Sequence, residues 1–358
     1  MARQWKDYCE FEPIFQRIER MRVLILDNLI ACASDLSDKA RREPNFDAEA
    51  WVAEERKIAG FAIGNITQNI NNLIMKPHWL VARLNELTDA RVADFDPDAI
   101  IISGTLRDFD LYHPDLIARL ESFLRRTTIP TLGICGGHQI MGQAFGARVV
   151  TLDGLAPWEK RSERMREYQY YLISVLRPQD PLFAGILNER GRRLPKNTLR
   201  VWQNHGLMLE RVPPGFSLLA KSELTRNQIM VKRGDGQLLY GVQFHLEKSF
   251  EDWRKLPSPW EHRNESRDGR RMFENFLIEA LRHRGKADLV KEAATLPLSP
   301  VVSARDAQPA YALAASGQRL NGYGNGPAKA PAPPSLTPSE VGGSEPAEEY
   351  IADRLTGL

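Results

Sequence analysis

Residues 21–150 predict an α/β fold, an open and mostly parallel twisted sheet with helices on both faces, to which antiparallel hairpins are added after Val150. Two observations predict it. Short apolar runs rich in branched residues, MRVLILD (21–27), PDAIIISG (97–104) and IPTLGIC (129–135), alternate with longer segments of helical spacing. Such alternation is the pattern of a parallel sheet covered on both sides. Beyond Val150 the pattern becomes YYLISVL, TLRVWQNHG, FSLLAKS, NQIMVKR and QLLYGVQFHLE, strand-like runs divided by the turn-prone RPQD, VPPG and RGDG, as hairpins are.

MRVLILD is too short for a helix and reads as the first buried strand. A polar stretch follows from Asn28 to about Gly60, and within it DAEAWVAEERKIAGFAI reads as a helix. Thr67 to Leu87 also has helical spacing, with Ile70, Leu73, Ile74, Leu80, Val81 and Leu84 as its apolar stripe. PDAIIISG is the second strand, closed by Gly104. HPDLIARLESFLRR (113–126) is an amphipathic helix with Pro114 near its start, where a missing N–H does no harm. IPTLGIC is the third strand, with GHQIMGQAFGA as the helix after it, and GRRMFENFLIEALRHR (269–284) is a closing helix. From about Leu296 the composition shifts to Pro, Ala, Gly and Ser, too poor in apolar surface to offset the entropy of ordering. That tail is expected to be largely disordered, with EEYIADRL as a candidate short terminal helix. The expected organisation is an N-terminal extension (1–20), one domain (21–285) with insertions at about 29–60 and 248–268, and the tail (286–358). No internal repeat is visible.

With 358 residues, 42% hydrophobic and 26% charged, the chain has the composition of an ordinary soluble protein. Its 48 basic and 46 acidic residues leave a net charge of +2, which argues against nucleic acid or an anionic membrane as partner. Basic clusters KRSERMR (160–166) and RNESRDGRR (263–271) are mixed with acidic residues and read as solvated surface. No apolar run approaches the roughly 18–20 residues of a membrane span, and the N-terminus has no signal-peptide core. Cys9, Cys32 and Cys135 are too few and too irregularly spaced for a disulfide framework or a zinc site. A reducing cytoplasm fits, and no metal or cofactor is expected. Cys9 and Cys32 lie outside every motif and are expected to be structural.

One cysteine stands apart. In 133-GICGG-137 it sits where a strand turns sharply into a helix, a corner crowded enough to need very small residues two positions before and after the nucleophile. Gly133 and Gly137 meet that need. The turn exposes the sulfur at the carboxyl end of the sheet, where open α/β sheets place their sites. It also sets Cys135 at a helix N-terminus, which favours the thiolate. The competing reading is a packed cysteine at a Gly-rich corner.

A thiol nucleophile needs a base, and the base an orienting group. Of seven histidines, His245 in YGVQFHLE is placed best. Strand alternation puts Gln243, His245 and Glu247 on one face, with Val242, Phe244 and Leu246 on the other. His205 is a second candidate base, with no carboxylate following it until Glu210.

GICGGHQIMGQAFGARV and YGVQFHLE together resemble the two signature segments of the class I glutamine amidotransferases, a Cys-His-Glu family that includes the glutaminase domains of GMP synthase and anthranilate synthase. The similarity runs from about Met21 to Leu281 and takes in Asp27-Asn28, PDAIIISG, PLFAGI, VWQNHG and RMFENFL. It implies a flavodoxin-like sheet and a catalytic Cys135, His245 and Glu247. It further implies that Gln139 contacts the bound glutamine, that backbone N–H groups around Gly104-Thr105 and of Gly136 form an oxyanion hole, and that Asn204, His205 and Gly206 hold the amino acid head group. Glycine at 104 and 136 suits close backbone approach. The chain departs from the family at Thr105, where Gly is usual, and at Leu246, where Pro is usual.

The resemblance implies a glutaminase that forms a Cys135 thioester and delivers ammonia to a synthase. No Gly-rich phosphate cradle is found in these 358 residues, so the ATP-dependent synthase or ligase that accepts the ammonia is expected to be a separate chain. Two alternatives stand beside this: a stand-alone hydrolase of γ-glutamyl amides or peptides, and a catalytically silent regulatory module of the same fold.

Overall fold

The computed structural model describes residues 15–187, 194–248 and 267–291. Its centre is a nine-stranded sheet. The strands are β1 (Ile18–Asp27), β2 (Ile74–Arg83), β3 (Ala99–Ile102), β4 (Thr131–Ile134), β6 (Glu167–Val175), β7 (Thr198–His205), β9 (Ser217–Lys221), β10 (Ile229–Gly234) and β11 (Gln237–Val242). Parallel pairing runs from β2 through β1, β3 and β4 to β11. Antiparallel pairing continues from β11 through β10, β9 and β6 to β7. A separate ribbon joins β5 (Val149–Thr151) to β8 (Leu207–Leu209).

Strand alternation sorts the core into two layers. Val23 and Ile25 of β1 face a cluster with Ile66 and Ile70 of α1 (Ala48–Leu73) and with Phe273, Phe276 and Leu277 of α5 (Arg267–His283). Leu24 and Leu26 face the opposite layer, built on α2 (Asp89–Phe95), α3 (Pro114–Arg126) and α4 (Gly136–Ala144). A strand buried on both faces must be apolar at every position, which is why MRVLILD is a continuous run rather than an alternating one.

The structure corrects one expectation. Thr67–Leu87 is not a single helix: α1 ends at Leu73, and Ile74–Arg83 is a strand paired in parallel with β1. Pro77 supplies the reason. It has no N–H to continue a helix and drives the preceding residue toward extended backbone. A proline is tolerated in a strand at a sheet edge, and β2 is an edge strand. At the other end of the domain, β11 stops at Val242, and Gln243 to Lys248 continue as turns. The proposed tail from Leu296, the EEYIADRL helix, Cys9 and most of the 248–268 insertion lie outside the described residues. Among the described residues, no helix is long and apolar enough to cross a membrane.

Candidate active site

β3, β4 and β11 run side by side and in parallel, so their carboxyl ends deliver three segments to one place: Gly104-Thr105, the Cys135 corner and Gln243–Glu247. Cys135 links β4 to α4 with φ 51° and ψ −103°, a conformation an L-residue adopts only when its surroundings enforce it. The enforcement is visible. Cys135 N–H donates to Val242 O on the neighbouring strand at 2.8 Å, and Gln139 N–H donates to Cys135 O at 3.0 Å to open the helix. A Cβ on Gly133 would lie 2.6 Å from the Gly137 carbonyl carbon, and one on Gly137 would lie 3.1 Å from Ile102 Cβ. These two glycines are therefore required by close packing, as their spacing predicts.

His245 and Glu247 are both buried, and His245 Nδ1–H donates to Glu247 Oε1 at 2.7 Å. A Cβ built on Gly104 would lie 3.3 Å from His245 Cε1 and 3.5 Å from Cys135 Cβ. The imidazole and the cysteine thus meet over one glycine of the β3 loop. Burial opposes charge on His245, but the Glu247 carboxylate and the Cys135 sulfur overcome it and push the imidazole up to about 10. By linkage, the stability carried by this charged imidazole is fully present below pH 6.5 and lost as pH rises through about 10. Although the strand has ended, alternation persists: Phe244 and Leu246 enter the apolar core while Gln243 donates from Nε2 toward Cys135 Sγ at 3.8 Å. Asn69 of α1 braces the turn by donating to Glu247 O at 2.7 Å.

The other expected residues fall around this centre. A Cβ on Gly136 would lie 2.7 Å from Thr105 N, so the β3 loop and the α4 N-terminus touch. Gln139 is buried on α4, its amide donating to Leu207 O at 2.9 Å and Gln243 Oε1 at 3.3 Å. Gly206 is overlaid by the 160–166 segment, since a Cβ there would be 3.3 Å from Met165 O. Asn204 is half-buried opposite Tyr168. The His205 ring is occupied: Nδ1 lies 3.0 Å from Leu207 O, and Nε2 lies 2.9 Å from Glu167 Oε2 and 3.1 Å from Gln203 Oε1.

Glu167 was not visible as a partner of His205 from the sequence. It lies directly across the β6–β7 ladder, and only the register of two distant strands brings it there. It is a buried carboxylate; burial raises its pKa, yet hydrogen bonds from His205, Ser222 and Thr225 bring it below its ordinary value. His138, in the GICGGH motif, is buried on the core side of α4. Burial drives its pKa down to about 3 against weaker support from the Gly241 and Asn227 backbones, so it stays neutral and packs.

The β3 loop is held from two sides. Arg107 donates to Glu54 Oε2 at 2.7 Å, lies 3.4 Å from Glu55 Oε1 and stacks 4.0 Å over Trp51, all on α1. Asp108 pairs with Arg161 and Arg164, and Arg161 also reaches Glu43 at 2.8 Å and Asp110 at 2.7 Å. KRSERMR is therefore not simply a solvated face: two of its arginines are spent on this network.

A family model described as glutamine amidotransferase class-I matches residues 63–257, more than half of the chain. The glutamine-hydrolysing GMP synthase of Shewanella amazonensis is 26% identical over 194 residues, 54% of this chain and 31% of that protein. The same enzyme from Marinobacter nauticus is 33% identical over 171 residues, 45% of this chain and 27% of that protein. The chain therefore spans about a third of the length of the curated relatives it matches. Among solved structures, a glutamine amidotransferase from Thermotoga maritima is 18% identical with a TM-score of 0.44, covering 73% of this chain and 98% of the other.

Proposed function

The chain belongs to the class I glutamine amidotransferase family, and on that premise we propose that it hydrolyses the side-chain amide of glutamine through a Cys135 thioester and passes the ammonia to a separate synthase chain. The observation that carries this is the Cys135 corner at positive φ beside an imidazole held charged by a carboxylate 2.7 Å away.

The Cys135 sulfur attacks the amide carbon, and the carbonyl electrons move onto oxygen. That oxyanion is met by backbone N–H groups of the Gly104-Thr105 loop and of Gly136, donors fixed before the charge develops. His245 gives its Nε2 proton to the departing nitrogen, releasing ammonia and leaving the glutamyl thioester. The now neutral imidazole takes a proton from water, hydroxide adds to the thioester, and the sulfur leaves as glutamate is freed. Glu247 keeps the Nδ1–H tautomer and stabilises the imidazolium. Gln139 and the Asn204–Gly206 segment hold the amino acid; His205, locked by Glu167, serves there by keeping that segment in place.

The named activity of the GMP synthase relatives supports glutamine as donor. The test is release of glutamate and ammonia from glutamine, with the chain alone and with each ATP-dependent synthetase that co-purifies with it. Equimolar products that rise with a partner and vanish in Cys135→Ala are expected. Background turnover with every partner would overturn the reading. Thr105 at the donor loop and the Arg164–Met165 cover over Gly206 favour one alternative, a stand-alone hydrolase of other γ-glutamyl amides. That alternative requires full activity on such compounds without a partner.

A further inference from the structure

Arg107 lies two residues beyond Thr105, and its guanidinium turns to α1. It reaches Glu54 at 2.7 Å and Glu55 at 3.4 Å and covers the Trp51 ring at 4.0 Å. The preceding residue, Leu106, packs against Leu29, Ile58 and Ala59, so the same stretch is docked on α1 by apolar contact as well. The following residue, Asp108, pairs instead with Arg161 and Arg164 of the 160–166 segment. Consecutive opposite charges anchored to two different bodies leave the intervening backbone little freedom, and that backbone leads directly into Thr105 and its contact with Gly136.

A donor loop needs such anchoring here. A Cβ on Gly136 would press on Thr105 Cγ2 at 2.7 Å, so the loop and the α4 N-terminus are in close contact and a small displacement of the loop moves the donor off its line. The anchor itself is well made. Planar guanidinium stacked on an aromatic and paired with two carboxylates is a geometry that lysine does not reproduce. Glu55 is fixed in turn by accepting the Ile30 N–H at 3.1 Å, and Ile30 belongs to the segment leaving β1 beside Ser103, whose Oγ accepts Asn28 N–H at 3.0 Å.

We infer that Arg107 is a positioning residue, which acts through the Gly104-Thr105 backbone by pinning the oxyanion-donor loop to α1. This rests on the glutaminase reading for its kinetic consequence, though not for its structural one. Displacing a reacting group by about 1 Å costs up to about 100-fold in rate. Arg107→Ala is therefore expected to lower kcat for glutamine by roughly 10- to 100-fold with KM within about twofold, and Arg107→Lys to recover part of the loss.

Alkylation of Cys135 by iodoacetamide separates positioning from general damage, because displacement of iodide by sulfur forms no oxyanion. Its rate should stay within about twofold of wild type in Arg107→Ala. A fall in alkylation parallel to kcat would overturn the proposal, as would an unchanged kcat. Hydrogen exchange of the 103–108 backbone is the readout independent of activity. It should quicken in Arg107→Ala, and to a lesser degree in the milder Glu54→Gln, while exchange in β4 is unchanged. If wild type fails to turn over glutamine, the functional reading fails, and exchange alone decides for Arg107. Unchanged exchange at 103–108 in both variants would sink it.

Discussion

Glu55→Gln should make the protein more stable at high pH and less active. The wild-type carboxyl is fully buried on α1, and burial pushes it from 4.5 up to about 7, against the pull of Arg107 and the Ile30 amide and with added repulsion from Glu54 and Asp27. An acid whose pKa is raised on folding favours the fold in its neutral form. Its contribution is fully present below pH 4.5 and lost as pH rises through about 7. At about 1.4 kcal/mol per pH unit, that rise is worth about 3 kcal/mol. Glutamine mimics the neutral acid at every pH. The variant should therefore exceed wild type by under about 1 kcal/mol at pH 5 and by about 3 kcal/mol at pH 8. In thermal melts of a domain this size, the pH 8 difference corresponds to roughly 6–12 °C. The assay is paired denaturation of wild type and variant at pH 5 and pH 8, with kcat measured on the same preparations. An advantage that does not grow with pH would refute the account of Glu55, because the slope comes from a proton that the folded carboxyl keeps and the unfolded one releases between pH 4.5 and about 7. The kcat should fall a few-fold despite the gain in stability, since Arg107 loses one anionic partner.

Cys135→Ala should lower glutamine turnover by several orders of magnitude while the melting temperature stays within a few degrees; residual activity near wild type would place the nucleophile elsewhere. Glu247→Gln removes the charge that holds the His245 imidazole up to about 10, so its pKa should drop. Activity that needs a charged imidazole is lost as pH rises through that pKa, so the basic limb of the pH–rate profile should move to lower pH. An unmoved limb would remove Glu247 from the site. Gly137→Ala would drive a Cβ to 3.1 Å from Ile102 Cβ and closer still to its carbonyl oxygen. It should cost about 4 kcal/mol or more, read as a collapsed melting temperature or loss of soluble protein.

The parts of this site that the sequence discloses are those imposed by local sterics. Gly133 and Gly137 flank Cys135 because backbone occupies the space a side chain would need, and that requirement is written at fixed spacing. His245 and Glu247 are similarly local: an i, i+2 pair stays on one side even though β11 stops at Val242. What the sequence conceals depends on distant register or on competing periodicities. Ile74–Arg83 carries a helical stripe and a strand at once, and only Pro77 betrays which wins. Glu167 reaches His205, 38 positions further along the chain, through the β6–β7 ladder, for which no local signal exists. Arg161 and Arg164 look solvated in KRSERMR because their partners, Glu43, Asp108 and Asp110, lie far upstream.

The central claim is that Cys135 is a nucleophile toward a glutaminyl group. Intact-mass analysis after incubation with a diazoketone analogue of glutamine tests it most directly. A single adduct is predicted, localised to Cys135, suppressed by excess glutamine and absent in Cys135→Ser. No adduct on the folded wild-type chain, or an equal adduct in Cys135→Ser, would contradict it.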